Sequence, residues 1–159
     1  LLLCPLVGIC NAYESFCAQN IGANKHDRVD DGFKSILFFG TWICIASSLL
    51  TFIFNKPLVS LYIKDTTLES FVYADKAFLI LIFNYFAIFY KNSFDSYFKG
   101  HQKMKSLAVI STIVLGTRII LSFVFTPSFG PLFLTWACII SNALGTVIYL
   151  FVFKRVMII

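Results

Sequence analysis

Residues 35–55 read SILFFGTWICIASSLLTFIFN, twenty-one consecutive residues without one charge. At about 1.5 Å of rise per residue such a helix spans roughly 30 Å, the thickness of the hydrocarbon core of a bilayer. Working outward, four more segments meet or approach this length: 1–20, 71–94, 106–126 and 132–153. The third has Asp75 and Lys76 at its start and Lys91 at its end, the fourth contains only Arg118, and the fifth contains no charge. The whole chain is 58% hydrophobic and 13% charged, with a mean hydropathy of +0.83. Soluble domains carry about 25% charged residues, so this surface lacks the groups that water rewards. Membrane-spanning β-strands alternate polar and apolar residues over about 9–11 positions, a pattern these runs exclude. The expected fold is an all-α integral membrane bundle of about five transmembrane helices, forming a single domain over 1–159.

The connections follow from punctuation and charge. The first segment turns polar at Glu14, Ser15, Gln19 and Asn20, and Gly22 is placed to be a left-handed helix cap. Pro57 marks the end of the second segment, and Thr126-Pro127-Ser128-Phe129-Gly130-Pro131 separates the last two. One side of the bundle then receives the loops 21–34 and 91–105 and the tail, with nine Lys and Arg (Lys25, Arg28, Lys34, Lys91, Lys99, Lys103, Lys105, Lys154 and Arg155). The other side receives three, Lys56, Lys64 and Lys76. Positive residues concentrate on the cytoplasmic side, so the C-terminus is expected inside. The basic residues are therefore topological, and no nucleic-acid partner is indicated. The five cysteines lie within the segments without a Cys-x-x-Cys pair, which indicates neither a metal site nor a disulfide framework. The chain opens inside an apolar stretch without an initiator Met, and is expected to be a piece of a longer protein.

The stretch Ala18-Gln19-Asn20-Ile21-Gly22-Ala23-Asn24-Lys25-His26-Asp27-Arg28-Val29 resembles the signature between the second and third helices of each lobe in the multidrug and toxic compound extrusion family, MATE. Lys99-Gly100 with Lys103 and Met104, and Gly116-Thr117-Arg118-Ile119, resemble that family's later motifs. The resemblance implies five helices of a six-helix MATE-like lobe, the eighth to twelfth of the family if this is the C-terminal lobe. It implies a multi-pass antiporter of the plasma membrane in which sodium or proton entry drives export of amphipathic drugs or toxic organic compounds by alternating access. Its partners would be the lipid bilayer, small organic substrates and a missing N-terminal lobe, with no cofactor beyond the coupling ion. In such proteins Gln19, Asn20, Gly22, Ala23, Lys25 and Arg28 would form the cytoplasmic loop motif. A helix stop with ordinary positive anchors describes the same residues.

Counting inward from the segment ends places Ser47, Asn84, Arg118 and Asn142 near mid-membrane, as candidates to line a substrate or cation cavity. An Arg at that depth costs at least about 2.5–3.5 kcal/mol to insert, so Arg118 is expected to face protein or water rather than snorkel. For Asn84 and Asn142 two readings stand, cavity lining and hydrogen-bonded packing across helices. No mid-membrane acid falls in the five segments, although many family members carry one. A lipid-linked oligosaccharide flippase of the same superfamily would also use a cavity Arg. A membrane enzyme would need a metal at His26, Asp27, Asp30 and Asp31, whose spacing does not match a lipid phosphotransferase. The orientation has a direct check. With the native cysteines replaced and Lys25→Cys introduced, an impermeant thiol reagent should leave intact cells unlabelled, and labelling from outside would reverse the topology.

Overall fold

The computed structural model describes residues 3–60 and 69–157. Six helices follow in order: α1 (Cys4–Gly22), α2 (His26–Ile53), α3 (Asn55–Ser60), α4 (Glu69–Gly100), α5 (Met104–Phe129) and α6 (Phe133–Met157). No strand occurs among the described residues. In a hydrocarbon solvent a helix meets all its own backbone hydrogen bonds, which is why the apolar runs take this form. Four helices are long and apolar enough to cross a membrane: α2, α4, α5 and α6. The fifth expected span, α1, has 19 residues and is not among them, because its second half carries Glu14, Ser15, Gln19 and Asn20.

The helices run longer than the apolar runs alone. The loop expected over 21–34 is a turn of three residues, 23–25, and His26 already begins α2. Asp27 sits in its first turn, where the helix dipole favours an acid. Lys34 and Asp31 pair along the exposed face at 3.3 Å, so the mixed charges form a solvated helix surface. The loop expected over 91–105 likewise shrinks to 101–103, and α4 carries Lys91 and Lys99 within itself. Lys91 therefore leaves the loop count, with eight basic residues against three. Lys64, one of the three, lies outside the described residues. Pro57 falls inside the short α3. Pro127 lies inside the last turn of α5, and the chain turns at Gly130, whose φ is +80°.

The left-handed residue of the first turn is Asn24 (φ +56°), and Gly22 is the last helical residue. The Lys25 N–H donates to the Asn20 carbonyl at 2.9 Å and the Asn24 N–H to Ile21 at 3.0 Å. This is a Schellman closure, which satisfies carbonyls that the helix end would otherwise leave open. The second turn repeats it: Gln102 has φ +56°, the Lys103 N–H donates to Phe98 at 2.9 Å, and the Gln102 N–H donates to Lys99 at 2.8 Å. The two turns are tied together. Glu14 meets Lys99 at 3.5 Å, and Cys17 Sγ lies 3.5 Å from His101 Nδ1. Burial pushes the His101 imidazole below its ordinary pKa. These turns and the C-terminus of α6 form what is called here the basic end of the bundle.

The centre of the bundle is α4, which packs against α1, α2 and α6, while α6 also packs along α5. Phe33 of α2 sits edge-on to Phe94 at 5.3 Å between ring centroids, 5.0 Å from Tyr97 and 6.0 Å from Phe153. Three helices thus share one aromatic cluster, and such pairs add about 0.5–1.5 kcal/mol beyond burial. Gly40 lets α2 approach α4: a Cβ there would lie 2.0 Å from Cζ of Phe89, itself 1% exposed. Overpacking of a filled core costs about 1–3 kcal/mol. Gly40→Ala and Phe89→Ala should each lower the detergent melting temperature, and the double variant should lose clearly less than both losses together. Strict additivity in that cycle would show that the ring does not limit the approach.

Candidate functional site: a polar seam between three helices

Arg118 is half-buried on α5 and faces α6. Its Nε donates to Ser141 Oγ at 3.1 Å and its Nη2 donates to Asn142 Oδ1 at 3.0 Å. Asn142 Nδ2 then donates to Asn84 Oδ1 on α4 at 3.4 Å. A guanidinium only donates, so the amide of Asn142 must turn its oxygen to α5 and its nitrogen to α4. The chain has one sense, from a fixed positive charge to the amide nitrogen of Asn84. Ser141 and Asn142 are buried, and Ser141 hands its own proton to the Cys138 carbonyl at 3.0 Å. The arrangement joins three helices through donors and presents donors at its free end, chemistry suited to an acceptor-rich guest.

Three of the four mid-membrane candidates therefore meet, and Ser47 is placed differently. It is buried on α2, and its carbonyl accepts from Thr51 Oγ1 at 2.9 Å. Thr51 Oγ1 also lies 2.9 Å from the Tyr85 hydroxyl, so Ser47 belongs to the seam between α2 and α4. The loop motif is elsewhere again. Gln19, Gly22, Ala23, Lys25 and Arg28 are exposed at the basic end, while Asn20 is buried and its Nδ2 donates to the Phe16 carbonyl at 2.8 Å. Sixteen residues of α4, roughly 24 Å of helix, separate Asn84 from the Gly100 level where this motif sits. Its job here is to close the α1–α2 turn.

A second polar layer lies on the same seam and was not anticipated. Lys91 Nζ pairs with Asp95 Oδ2 at 2.5 Å, and the two side chains are only 17% and 13% exposed. The other carboxylate oxygen, Oδ1, is buried without a hydrogen-bond partner, as is the hydroxyl of Tyr149 on α6. Asp95 and Ser111 of α5 stand near that hydroxyl. Lys91, Ser111 and Tyr149 each stand seven residues from a member of the Arg118 layer: Asn84 to Lys91, Arg118 to Ser111, Asn142 to Tyr149. Seven residues are two turns, about 10.5 Å, and each step runs toward the basic end. Between the layers α5 and α6 close tightly. A Cβ on Gly145 would come within 2.6 Å of Val114 Cγ2 and 3.5 Å of Lys91 Cγ.

Sequence reading missed this pair because it ended the third segment at 94 and left Lys91 at the border. The i, i+4 spacing of Lys91 and Asp95 was a helical signal. So was the aromatic pattern continuing through Phe94, Tyr97 and Phe98. Glu14, the other acid considered, pairs with Lys99 at the basic end and is about a third exposed. Among the described residues no group of three or more His, Cys, Asp or Glu is placed to hold a metal ion.

A family model, MatE, matches residues 1–124, from α1 through most of α5. The chain belongs to the MatE family. It is a multi-pass membrane protein of a transporter family, not of an enzyme family. Comparison with curated proteins and with solved structures found no match. Within this MatE chain, Asn84, Lys91, Asp95, Ser111 and Arg118 lie inside the matched stretch, whereas Ser141, Asn142 and Tyr149 lie beyond it. The bond between Arg118 and Asn142 can be measured directly. In a cycle of Arg118→Leu, Asn142→Ala and the double variant, unfolding of the purified protein should give a coupling of about 0.6–1.7 kcal/mol, the range for polar pairs between membrane helices. A coupling of zero would mean that the two side chains do not interact.

Proposed function

We propose that this MatE chain forms one lobe of a cation-coupled antiporter that exports amphipathic organic compounds by alternating access. The observation that carries the reading is the ionised content of one buried seam. A fixed guanidinium and a Lys–Asp pair stand two turns apart between the same three helices. Charges at that depth are costly and in membrane proteins mark ion and substrate pathways. Asp95 supplies the acid that the segments seemed to lack, and its uncommitted oxygen is where a proton or sodium ion would act. In this reading the basic end, with the C-terminus, faces the cytoplasm of a plasma membrane, the eight-to-three basic bias setting the orientation. A second lobe completes the cavity, and rocking of packed lobes gives access to either side.

One observation favours a second reading. The Arg118 chain ends in hydrogen-bond donors, which would suit the pyrophosphate of a lipid-linked oligosaccharide and hence a flippase. The two readings separate in one experiment. The full-length protein in cells should lower accumulation of a cationic dye, and collapse of the proton or sodium gradient should abolish that effect. Asp95→Asn should express normally and lose the gradient-driven part about tenfold or more. Arg118→Lys should keep expression and reduce transport, since the planar fork is lost while the charge stays. Efflux at the wild-type level by Asp95→Asn and Arg118→Leu would overturn the assignment of the seam. Liposomes that move lipid-linked sugar and no dye would replace the antiporter by the flippase.

A further inference from the structure

The turns at the basic end are polar, with Asn24 and Lys25 in one and His101, Gln102 and Lys103 in the other. The turn between α5 and α6, at the opposite end, is Gly130-Pro131-Leu132, and no charged residue occurs from Ile119 to Phe153. Its backbone donors are held within the hairpin. The Gly130 N–H donates to the Thr126 carbonyl at 2.9 Å, Phe133 to Gly130 at 3.1 Å, Leu134 to Pro131 at 3.2 Å and Thr135 to Leu132 at 3.2 Å. Pro131 has no N–H, and the Thr135 hydroxyl adds a bond to the Leu132 carbonyl at 2.6 Å. Internal partners of this kind are what a chain needs where water is scarce. Around the turn the rings of Phe125, Phe129 and Phe133 lie together, with centroids 6.1, 5.3 and 5.7 Å apart. Phe129 is nonetheless 69% exposed.

Helix length sets the depth of this turn. From Lys105, at the start of α5, about 30 Å of hydrocarbon is crossed in about 20 residues, ending at Phe125. The same count back along α6 from Lys154 ends at Leu134. The two counts agree with the packing. Arg118 bonds to Ser141, and Phe125 and Leu134 each lie seven residues beyond them toward the turn. From Phe125 to Phe129 the helix then rises only about 6 Å. The headgroup layer on each side is roughly 5–8 Å thick, so the hairpin ends within it, and any tilt draws it deeper.

We infer that the α5–α6 hairpin ends inside the membrane interface, with Phe125, Phe129 and Phe133 packed against the glycerol and upper acyl region of phospholipid. Phe and Leu side chains of interfacial segments bury at that boundary. The surface continues the lipid-facing sides of the two spans, where Phe123, Val124 and Leu134 are also exposed, so bilayer lipid reaches it without interruption. The connection between α2 and α4 at the same end differs, since it carries Lys56, Glu69, Asp75 and Lys76 and is suited to water. The placement is independent of what the protein transports and of which side of the membrane the basic end meets.

The test uses full-length protein in liposomes, with Trp42→Phe and Trp136→Phe so that one introduced tryptophan reports its surroundings. In that background Phe129→Trp should emit at short wavelength and lose most of its emission to phosphatidylcholine brominated near the glycerol end of the acyl chain. It should lose less to lipid brominated near the methyl end, and little to aqueous iodide. Lys56→Trp, on the charged connection at the same end, should instead lose most of its emission to iodide. If Phe129→Trp does not assemble, Phe125→Trp reads the same layer. Iodide quenching of Phe129→Trp equal to that of Lys56→Trp would place the turn in water. Emission untouched by either brominated lipid would place it against protein, and either result overturns the inference.

Discussion

A guanidinium that keeps its proton, set in the middle of a spanning helix, obliges its neighbours to supply acceptors. In this chain the obligation falls on α6, which answers Arg118 with the hydroxyl of Ser141 and the amide oxygen of Asn142. Because an amide has one oxygen face and one nitrogen face, satisfying Arg118 turns the nitrogen of Asn142 toward Asn84 of α4. One unavoidable charge thereby fixes the register of three helices. The closer contacts respect that register: Val114 lies over Gly145, where no larger residue would fit.

The remainder of the fold is organised around α4. At 32 residues it is the longest helix, and it serves two groups of neighbours. Toward α2 it presents Phe89 and Tyr97, with Gly40 making room for the Phe89 ring, and toward α1 it presents Ser93, 3.8 Å from Cys10 Sγ. Toward α6 it presents Asn84 to the Arg118 chain and Phe94 to Tyr149, whose rings stack at 6.0 Å. The hairpins α1–α2 and α4–α5 close through the same turn chemistry, yet they differ in consequence. In the first the two helices pack on each other, whereas in the second α6 takes the place alongside both. The polar seam exists because of that insertion.

The seam carries charge at two depths with an apolar seal between them. The deeper layer is a permanent cation relayed through amides. The layer nearer the basic end is a neutralised pair whose acid retains one uncommitted oxygen. In the proposed antiporter, two such layers on one three-helix contact would connect the packing to transport. A motion that slid α6 against α4 or α5 would have to exchange hydrogen-bond partners at both depths, and therefore moves between discrete states.

Much of this was legible in the residues. Charge-free runs of bilayer length require helices, because hydrocarbon offers backbone groups no other partner, and the run at 35–55 alone excludes a soluble or β-barrel fold. The depth of Arg118 and of its amide neighbours Asn84 and Asn142 also follows from counting along a helix. Helix ends did not, because charged residues such as Asp27, Asp31 and Lys99 continue a helix as readily as they form a loop, and composition cannot tell the two apart. Partners did not either. Asn84 and Ser47 sit at similar depth, but only the packing of helices far apart in sequence turned Asn84 toward Asn142 and set Ser47 beside Thr51. Lys91 and Asp95 looked like boundary charges until the fold enclosed them between α4, α5 and α6. Periodicity reports what a helix presents on each face, and only tertiary packing decides which face meets lipid, water or another helix.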